Sequence, residues 1–545
     1  MTSELAPLFE PIAARFDVQS QAIAQLRVDN ASLAAEVQRL RSAPPPPQCA
    51  PPPPPSSMPD AGWTAFPPSA AGARVVHVSS SAGRPTNTGL SPDSPVDSLA
   101  RGVALLRDGA GDRLLLRCGD TFRESFGGWT KSGRSPDQPL LIASYGDGQR
   151  PRVVSPGTAL NILSTEVHDL ALVGLHLTAA GRDPALPDFD PASPASHGVR
   201  VVRPVTNLLI EDCRVEFFGS NLTLTAGDVP GAKLSNIRVR RCQVLDAWST
   251  AGAFTAQGLY ASGCDGLLIE ENVFDHNGWS ETIPGAVGNI FRHNLYLSAA
   301  NANVIVRGNV IARAASHGLQ LRGGGVIEDN LFLDNALHCL LAGAAGRFRR
   351  NAVLGGRDLD ADNPRGFGVT LACADGRADR NLLAQKPQTA GPALSVQRND
   401  WTPPGPMHAA FVANVVHGWN GNAVEITGDC DLLEFAGNDL RRLFAGRRLF
   451  NVKAKVGRYL LAANRYDSAE PRERWFAVNA TFVAPDRWPA DTGDSSVVES
   501  MPDPDPPPAL PPDYLSTVRN RPRAVWNPAA SAAAVSRTLR EAFED

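Results

Sequence analysis

A short pattern of apolar and polar positions recurs between residues 257 and 356. Each repeat opens with a run in which apolar and polar residues alternate, and a second apolar run ending in Asn follows it. The opening runs read Q-G-L-Y-A-S (257–262), H-N-L-Y-L-S (293–298), H-G-L-Q-L-R (317–322) and H-C-L-L-A-G (338–343). Two strand-like runs at a nearly fixed period predict a solenoid, because one such repeat cannot bury its apolar face alone.

The alternation within each run predicts which side chains face the interior. Successive side chains of a strand point to opposite faces. Leu295 and Leu297 are therefore predicted to be interior. Asn294, Tyr296 and Ser298 are predicted to face outward, and the neighbouring repeats follow the same rule.

An asparagine ends the second run of most repeats, at one equivalent turn. These residues are Asn272, Asn309, Asn330, Asn351, Asn381, Asn414, Asn438 and Asn464. Asn tolerates left-handed backbone geometry, and amides stacked along an axis can hydrogen-bond to one another. In the two preceding repeats Cys213 and Cys242 occupy this position, as small buried residues would. The sequence therefore predicts a buried asparagine ladder.

This combination of runs and turns resembles the right-handed parallel β-helix family, the fold of pectate lyases and of many phage tailspikes. The resemblance extends over residues 74–475 and is clearest from 197 to 440. It implies an all-β, right-handed parallel β-helix solenoid whose first coil is capped by a helix, here the run V-D-S-L-A-R-G-V-A-L-L-R from Val96. It does not imply one function, because enzymes and pure binding proteins share such scaffolds.

Aligning the repeats places outward side chains in columns, one strand spacing (~4.8 Å) apart. The first column contains Arg200, Thr223, Tyr260, Tyr296, Gln320, Leu341 and Thr370. A second column, two residues later, contains Ser262, Ser298 and Arg322. The strands start at His197, Gln257, His293, His317 and His338. A further column after the Asn turn contains Asp246, His276, Arg313 and Asp334, with Glu216, Asp275, Trp248 and Trp279 nearby.

Aromatic faces, planar polar groups and arginines suit a sugar polymer, which offers apolar ring faces edged by hydroxyls and sometimes carboxylates. Two insertions, at residues 181–196 and 279–292, interrupt the period, and insertions in a solenoid map to loops that often line a binding face. The predicted substrate-binding residues are Tyr260, Gln320, His317, Trp248, Trp279, His276 and Arg313. Three alternatives stay open: tyrosines packed under a loop or at a trimer contact, histidines bonded to backbone in turns, and a solvated ladder of alternating charge.

Two catalytic schemes can be drawn on these columns. In a lyase acting on a uronate polymer, Tyr296 or His293 would be the base and Arg322 would hold the substrate carboxylate. In a glycoside hydrolase, Asp275 and Asp246 would be the two carboxyls, at the ~6.5–9.5 Å separation of inverting enzymes. No acidic cluster like that of calcium-dependent pectate lyases is visible, so neither a metal nor another cofactor is predicted.

Composition narrows the class of protein. The net charge of the 545 residues is −4 and the arginines are scattered, which argues against nucleic acid as a partner. The eight cysteines have no C-x-x-C spacing, and buried free thiols fit assembly in a reducing cytoplasm. Residues 1–15 lack an apolar signal core and no run of 18 apolar residues could insert in a membrane. An extracellular role would then require lysis, a leaderless route or a particle.

Residues 1–42 have the heptad pattern of a coiled coil that starts near Ile12, after Pro7 and Pro11. Position a carries Phe9, Phe16, Ile23, Asn30 and Val37, and position d carries Leu5, Ile12, Gln19, Leu26, Leu33 and Leu40. The alternative is an amphipathic helix docked on its own domain. Residues 43–73 form a proline-rich linker, predicted to be a semi-rigid spacer or, alternatively, an SH3-type docking site.

The remaining domains are the β-helix, residues 74–475, and a C-terminal segment, residues 476–545. The segment ends in a predicted short helix from Asn527, expected to cap the far end or to contact a neighbouring protomer. The coil, the tether and the β-helix together resemble a phage or phage-like receptor-binding spike. That resemblance implies a homotrimer, attached through its N-terminal coil to a virion or virion-like particle, which binds or cleaves a cell-surface polysaccharide during host attachment.

The chain departs from that resemblance in lacking a recognisable particle-anchoring domain. One alternative is a cell-derived polysaccharide lyase or epimerase, which would normally carry a secretion signal. Another is an adhesin or structural protein without enzymatic activity.

Overall fold

The computed structural model describes residues 62–69, 71–227, 229, 231–252, 256–357, 359, 365–386, 391–498, 500–501 and 510–543. Most of this chain forms short strands stacked in three sheets, which we call A, B and C. Each coil of the solenoid passes through them in the order B, A, C, as in His293–Leu297, Ala302–Arg307 and Val310–Ala312. The coiled coil predicted for residues 1–42 lies outside the described residues.

The strands of sheet A are Val75–Val78, Arg113–Arg117, Leu140–Tyr145, Val167–Val173, Val205–Glu211, Leu234–Arg240, Cys264–Glu270, Ala302–Arg307, Gly325–Glu328, Leu337–Arg349, Val369–Asp379, His408–Val412, Cys430–Ala436 and Val456–Ala462. The strands of sheet B are Gly127–Gly128, Leu160–Ile162, His197–Val201, Ser220–Thr225, Gln257–Ser262, His293–Leu297, His317–Leu321, Leu394–Val396, Val424–Ile426, Phe450–Val452 and Phe476–Val478, together with the first halves of Leu337–Arg349 and Val369–Asp379, which run on into sheet A.

The strands of sheet C are Thr121–Phe122, Arg152–Ser155, His176–Ala179, Arg214–Glu216, Gln243–Leu245, Val273–Asp275, Val310–Ala312, Leu331–Leu333, Ala352–Leu354, Leu382–Lys386, Val415–Trp419, Asp439–Leu443, Arg465–Ser468 and Val497–Val498. Successive coils pair in parallel, whereas the terminal strand Thr481–Val483 pairs antiparallel with Phe476–Val478. The predicted right-handed parallel β-helix is confirmed.

Alternation along the strands builds the core as predicted. Leu295 and Leu297 are fully buried, and Leu295 stacks in register on Leu319 of the next coil. Tyr296 and Ser298 point outward and are half-buried. A column of apolar side chains therefore runs along the inside of each sheet, where burial is worth about 1.5–3 kcal/mol for each large side chain.

The asparagine ladder is confirmed. The backbone N–H and Nδ2 of Asn309 both donate to Oδ1 of Asn330 at 2.9 Å, and Nδ2 of Asn330 donates to Oδ1 of Asn351 at 3.0 Å. Each of these three residues is fully buried. Cys242 continues the ladder, because its backbone N–H donates to Oδ1 of Asn272. The ladder thus links the coils at the turn between sheets A and C.

The left-handed residue at this turn is not the asparagine, so that part of the prediction is wrong. The residue before it has the positive φ, for example Asp329 at 56° and Arg350 at 55°. This strained residue turns the chain so that the following amide points inward. The asparagine contributes hydrogen bonds rather than unusual backbone geometry.

A second ladder, not predicted, lies at the turn from sheet C to sheet B. Nδ2 of Asn277 donates to Oδ1 of Asn294 at 2.8 Å, and Nδ2 of Asn294 donates to the carbonyl of Ala312 at 2.7 Å. The outward orientation predicted for Asn294 is therefore wrong, and this residue is fully buried. Its amide satisfies a turn carbonyl that water cannot reach.

The alignment of the fourth repeat is one residue off. His317 pairs with Leu337, and Gln320 pairs with Leu340, so His338 and Leu341 do not belong to the predicted columns. Leu341 is buried in the core. Interior packing decides the register, because a slip of one residue would turn every side chain of the strand to the other face.

Helices and turns close the two ends of the solenoid. Helix α1 (Leu99–Leu105), capped by Ser98, covers the first coil as predicted, and buries Leu99. At the far end helix α2 (Arg487–Thr492) places Trp488 flat on Phe476, with ring centroids 4.4 Å apart. A short 3-10 turn, Arg472–Arg474, precedes this cap.

Helix α2 of the predicted C-terminal segment thus covers the far end, whereas the helix predicted from Asn527 lies elsewhere. Helices α3 (Tyr514–Arg519) and α4 (Ala532–Glu541), with the 3-10 turns Arg523–Val525 and Pro528–Ala530, run along the outside of sheet C. Their buried contacts are Tyr514, Val518, Ala532, Leu539 and Phe543, against Leu245, Val273, Val310, Ala312, Leu331, Leu333, Ala352 and Leu354. From the strand Val310–Ala312 to the strand Ala352–Leu354, sheet C is apolar on both faces and therefore requires this cover.

Residues 62–69, at the end of the predicted linker, also pack on the body. The backbone N–H and hydroxyl of Thr64 donate to the carboxylate of Glu211 at 2.9 and 2.7 Å. Trp63 meets Trp526 of the C-terminal segment edge to face, with ring centroids 5.4 Å apart. The linker thus joins the solenoid on its side, next to the C-terminal segment.

Replacing Asn330 with Leu tests the ladder. The substitution leaves the backbone N–H of Asn309 without its acceptor in the core, while Nδ2 of Asn309 keeps its bond to the carbonyl of Ile269. We expect the stranded N–H to lower the free energy of unfolding by ~1–3 kcal/mol. Thermal melting followed by circular dichroism measures the effect. Gln149→Leu, the same amide-to-leucine change at an exposed position, is the control, and a wild-type melting temperature for Asn330→Leu would contradict the ladder's role.

Candidate functional site

The structure divides the predicted site residues between two surfaces. One is the outer face of sheet B, formed by Tyr260, Tyr296, Gln320, Arg322 and Trp401, which we call the aromatic face. The other, the corner cavity, is a space of about 470 Å³ at the turn from sheet C to sheet B. Its walls include Asp246, Trp248, His276, Trp279, Arg313 and Arg519. The insertion 279–292 lines the cavity at one end and reaches sheet B at the other.

Tyr260 and Tyr296 are neighbours on adjacent strands of the aromatic face. They pair in register, and their ring centroids are 5.1 Å apart. Leu259 and Leu295, one residue earlier, are buried in the core, so strand alternation turns both phenol rings outward. Gln320 continues the row, in register with Tyr296.

Arg322 follows the strand His317–Leu321 and completes this row. Its guanidinium carbon lies 4.5 Å from the ring centroid of Tyr296 and 3.5 Å from that of Trp401. The guanidinium also donates a hydrogen bond to the Tyr296 hydroxyl. A planar cation stacked between two rings is held in one orientation, with little conformational entropy left to lose on binding.

Trp401 was not among the predicted site residues. It lies in the loop 397–407, where the hydroxyl of Thr402 donates to the carbonyl of Ala372 at 2.8 Å. Its ring packs on Leu340, Ala342 and Ala372 of the neighbouring coils. The available signal was a lone tryptophan in the proline- and glycine-rich run D-W-T-P-P-G (400–405), but strand periodicity gives no means of placing a loop residue over another coil.

His293 and His317 lie beneath the aromatic face, with exposures of 3% and 8%. The backbone N–H of His317 donates to Nδ1 of His293 at 3.3 Å. Burial lowers the pKa of His317 to about 3 and lowers that of His293 well below its ordinary value. This arrangement fits neutral histidines bonded to backbone in turns, the alternative stated for them above, better than a solvent-facing catalytic base.

The charged column at the corner cavity has the predicted register. Asp246, His276 and Arg313 have left-handed φ values of 53°, 61° and 48°, one above another at the turn after sheet C. Asp275 accepts from Nε and Nη2 of Arg313 at 2.8 and 2.6 Å. Arg519 of helix α3 donates to both Asp275 and Asp246.

The carboxylate of Asp275 is held in the ionised state. Burial alone would raise the pKa of Asp275, but the hydrogen bonds and charges of Arg313 and Arg519 lower it below its ordinary value. His276 lies between Asp246 and Glu281, with each ring nitrogen 2.7 Å from a carboxylate oxygen. A glycoside hydrolase needs one of its two carboxyls protonated at working pH. The network therefore suits attachment of helix α3 better than hydrolysis, and helix α3 keeps it from being the solvated ladder considered above.

The two predicted tryptophans are part of the cavity wall. Trp248 is 1% exposed and stacks on the guanidinium of Arg182 at 3.7 Å. Trp279 is 5% exposed, and its indole N–H donates to the carbonyl of Arg313 at 2.8 Å. Both rings hold insertions against the solenoid and offer little surface to a ligand.

Neither a cluster of metal-ligating side chains nor a membrane-spanning helix is found in the described part of the chain. It contains no group of three or more His, Cys, Asp or Glu side chains placed to hold a metal ion. Among the same residues, none of the helices has the length and apolarity needed to cross a bilayer.

A family model described as "Right handed beta helix region" matches residues 194–353. No curated protein matches the chain. Similar solved structures include XylC in complex with xylose, at 10% identity over 85% of this chain and 94% of that one, with a TM-score of 0.43. The tailspike of E. coli bacteriophage HK620 follows at 13% identity over 66% and 65%, with a TM-score of 0.39. A GH136 lacto-N-biosidase from Eubacterium ramulus has 14% identity over 78% and 67%, with a TM-score of 0.32.

Arg519→Gln tests the attachment of helix α3. Removing this cation leaves two largely buried carboxylates less well compensated, and we expect a loss of about 3–5 kcal/mol in the free energy of unfolding. Urea denaturation at pH 7 measures it. Arg537→Gln, on the exposed side of helix α4, is the matched control and should change stability by less than about 0.5 kcal/mol.

The effect of Arg519→Gln on the free energy of unfolding should also depend on pH. A carboxyl whose folded-state pKa is lowered contributes stability above its unfolded pKa of ~3.9 and loses it as pH falls through the folded value. The difference between wild type and Arg519→Gln should therefore be largest near pH 7 and shrink below about pH 4. A difference that stays constant down to pH 3 would show that the pKa of Asp275 does not respond to Arg519.

Proposed function

We propose that this protein binds a polysaccharide along the aromatic face of sheet B. The observation that carries the proposal is the row of four planar side chains, Tyr260, Tyr296, Arg322 and Trp401, in mutual contact across neighbouring coils. Sugar rings present apolar faces edged by hydroxyl groups, which match aromatic rings and guanidinium donors. The corner cavity lacks this match, because its rings are buried and its charges are paired.

Loops flank sheet B at both edges, and between them they would form the walls of a groove parallel to the solenoid axis. The insertion 279–292 lies at the edge where the strands begin, and the loop 397–407 with Trp401 lies where they end. The insertion exposes Val287, Ile290 and Phe291 by 66%, 41% and 63%. It is held to the sheet by Gln257, whose side-chain amide donates to the carbonyl of Phe291 at 2.7 Å. A polymer that follows this groove would contact several coils at once.

The surroundings of Tyr296 favour a role in binding over a role as a catalytic base. Burial, opposed in part by the charge of Arg322, raises the pKa of Tyr296 above its ordinary value. Its phenol is therefore protonated at neutral pH and is a poor base for the lyase scheme. The lyase, hydrolase and adhesin roles are separated by the assay below; an epimerase, which neither breaks the chain nor forms an unsaturated sugar, stays as an alternative.

The finer proposal is that the protein acts outside the cell, as the spike of a phage or phage-like particle. It is supported by the heptad pattern of residues 1–42 and the proline runs that follow. The coil would join three copies and attach them to the particle, which leaves the three aromatic faces free for a cell-surface polysaccharide.

Trp401→Ala and Tyr296→Ala should each weaken polysaccharide binding about tenfold, since each removes a stacking surface. Calorimetric titration with a panel of purified capsular and exopolysaccharides measures the effect. Phe482→Ala, at an exposed ring on the terminal hairpin, controls for loss of aromatic surface elsewhere. If Trp401→Ala, Tyr296→Ala and Arg322→Ala all bind like wild type, the site lies elsewhere.

The same incubations separate the possible activities. A gain in ultraviolet absorbance from an unsaturated sugar product indicates a lyase, and a fall in viscosity without it indicates a hydrolase. Binding with neither change supports the adhesin role.

Deletion of residues 1–42 tests the assembly. Because the heptad pattern is confined to this segment, we expect light scattering to report the mass of a trimer for the full chain and of a monomer after deletion. An unchanged mass would assign assembly to the solenoid or to the C-terminal segment.

A further inference from the structure

The aromatic face carries positive charge that no described residue neutralises. Arg322 and Arg200 both lie on the outer side of sheet B, and neither forms an ion pair with any residue that the structure describes. Arg322 stacks only on rings and donates to the Tyr296 hydroxyl. Arg200 is half-buried and lies between Asn161 and Thr223 in register.

Several arginines on the outer faces of sheets A and C are paired with acids. On sheet A, Arg240 contacts Glu211 and Glu270, and Arg349 contacts Glu328 at 2.8 Å. On sheet C, Arg313 holds Asp275. Buried arginines that lack an acid, such as Arg182 and Arg292, donate to backbone carbonyls instead. Among the described residues, the guanidinium groups of Arg322 and Arg200 have neither a carboxylate nor a carbonyl partner.

The pKa shifts of Arg313 and Arg322 agree with this difference between paired and unpaired arginines. The hydrogen bond to Asp275 raises the pKa of Arg313, whereas burial lowers the pKa of Arg322. A partly desolvated cation without a counter-charge is costly, and an anion that binds beside it would offset that cost.

Carboxylates are missing from the central column of the face. From the strand Leu160–Ile162 to the strand Leu394–Val396, the outward residues in register are Asn161, Arg200, Thr223, Tyr260, Tyr296, Gln320, Leu340, Thr370 and Ser395. The next residue in this column, Glu425, is the first acid. An anionic polymer would therefore meet no like charge in this column over these coils.

We infer that the polysaccharide is anionic and that its oxyanion substituents bind Arg322 and Arg200. This inference rests on the proposed binding function and adds the chemical class of the ligand. The two arginines are four coils apart, about 19 Å at one strand spacing per coil. The polymer would carry acidic groups at both ends of this span and stack its rings on Tyr260, Tyr296 and Trp401 between and beside them.

The test compares polymers that differ only in charge. Acidic capsular polysaccharides and polygalacturonate are titrated beside their carboxyl-reduced forms, and dextran sulfate beside dextran, at 50 and 500 mM NaCl. We expect binding of acidic polymers only, with affinity that falls about tenfold or more at the higher salt, because screening weakens exposed charge pairs. Polygalacturonate and dextran sulfate distinguish carboxylate from sulfate as the oxyanion.

Variants assign the charge preference to residues. Arg322→Gln should weaken binding of the acidic polymer roughly 10- to 100-fold, as expected for loss of a charge-assisted hydrogen bond. Arg200→Gln should weaken it about 2- to 5-fold. Arg322→Lys keeps the charge and should keep the preference for acidic polymers, with lower affinity because the planar stack is lost. Arg537→Gln removes the same charge over sheet C and should bind like wild type.

The outcomes separate the two proposals. Equal affinity for a polymer and its carboxyl-reduced form, without salt dependence, overturns the anionic ligand and leaves polysaccharide binding standing. No binding to any polymer overturns both. Circular dichroism of each variant shows whether a loss of affinity reflects the site or unfolding.

Discussion

The register between successive coils is the constraint on which the rest of this structure depends. Buried amides set it at two turns: the ladder through Asn330 between sheets A and C, and the ladder through Asn277 and Asn294 between sheets C and B. Each amide donates to the next coil and to a turn carbonyl, so it satisfies groups that water cannot reach. A slip of one residue would strand these groups and turn Tyr296 and Arg322 into the core.

Much of the fold could be predicted because a solenoid repeats its own rules. Alternation identified Leu295 as interior and Tyr296 as exterior, and the recurring asparagine identified the turn. The predicted register of the repeat at His338 was wrong by one residue. Leu340 and Leu341 are both apolar there, so alternation alone cannot show which of them faces the interior. The C-terminal cover over sheet C was missed, although runs such as V-I-A (310–312) and L-F-L (331–333) are apolar at every position and indicate burial on both faces.

The predicted site residues lie on two surfaces, the aromatic face and the corner cavity, because their columns are on different sides of the turn from sheet C to sheet B. Asp246, Asp275, His276 and Arg313 are used by the fold, since Arg519 joins them to the C-terminal segment. On sheet B, Arg322 has no acidic partner among the described residues, and Trp401 packs on it from a loop. Charge pairing distinguishes the two surfaces: a satisfied network stabilises the fold, whereas an unpaired cation among aromatic rings suits a ligand.

A structure of the full chain with a bound acidic oligosaccharide is the most direct test of binding at the aromatic face. We expect density for sugar rings along sheet B, stacked on Trp401 and Tyr296, with an acidic substituent at the guanidinium of Arg322. Density in the corner cavity between Trp248 and Arg519, with the outer face of sheet B empty, would contradict it.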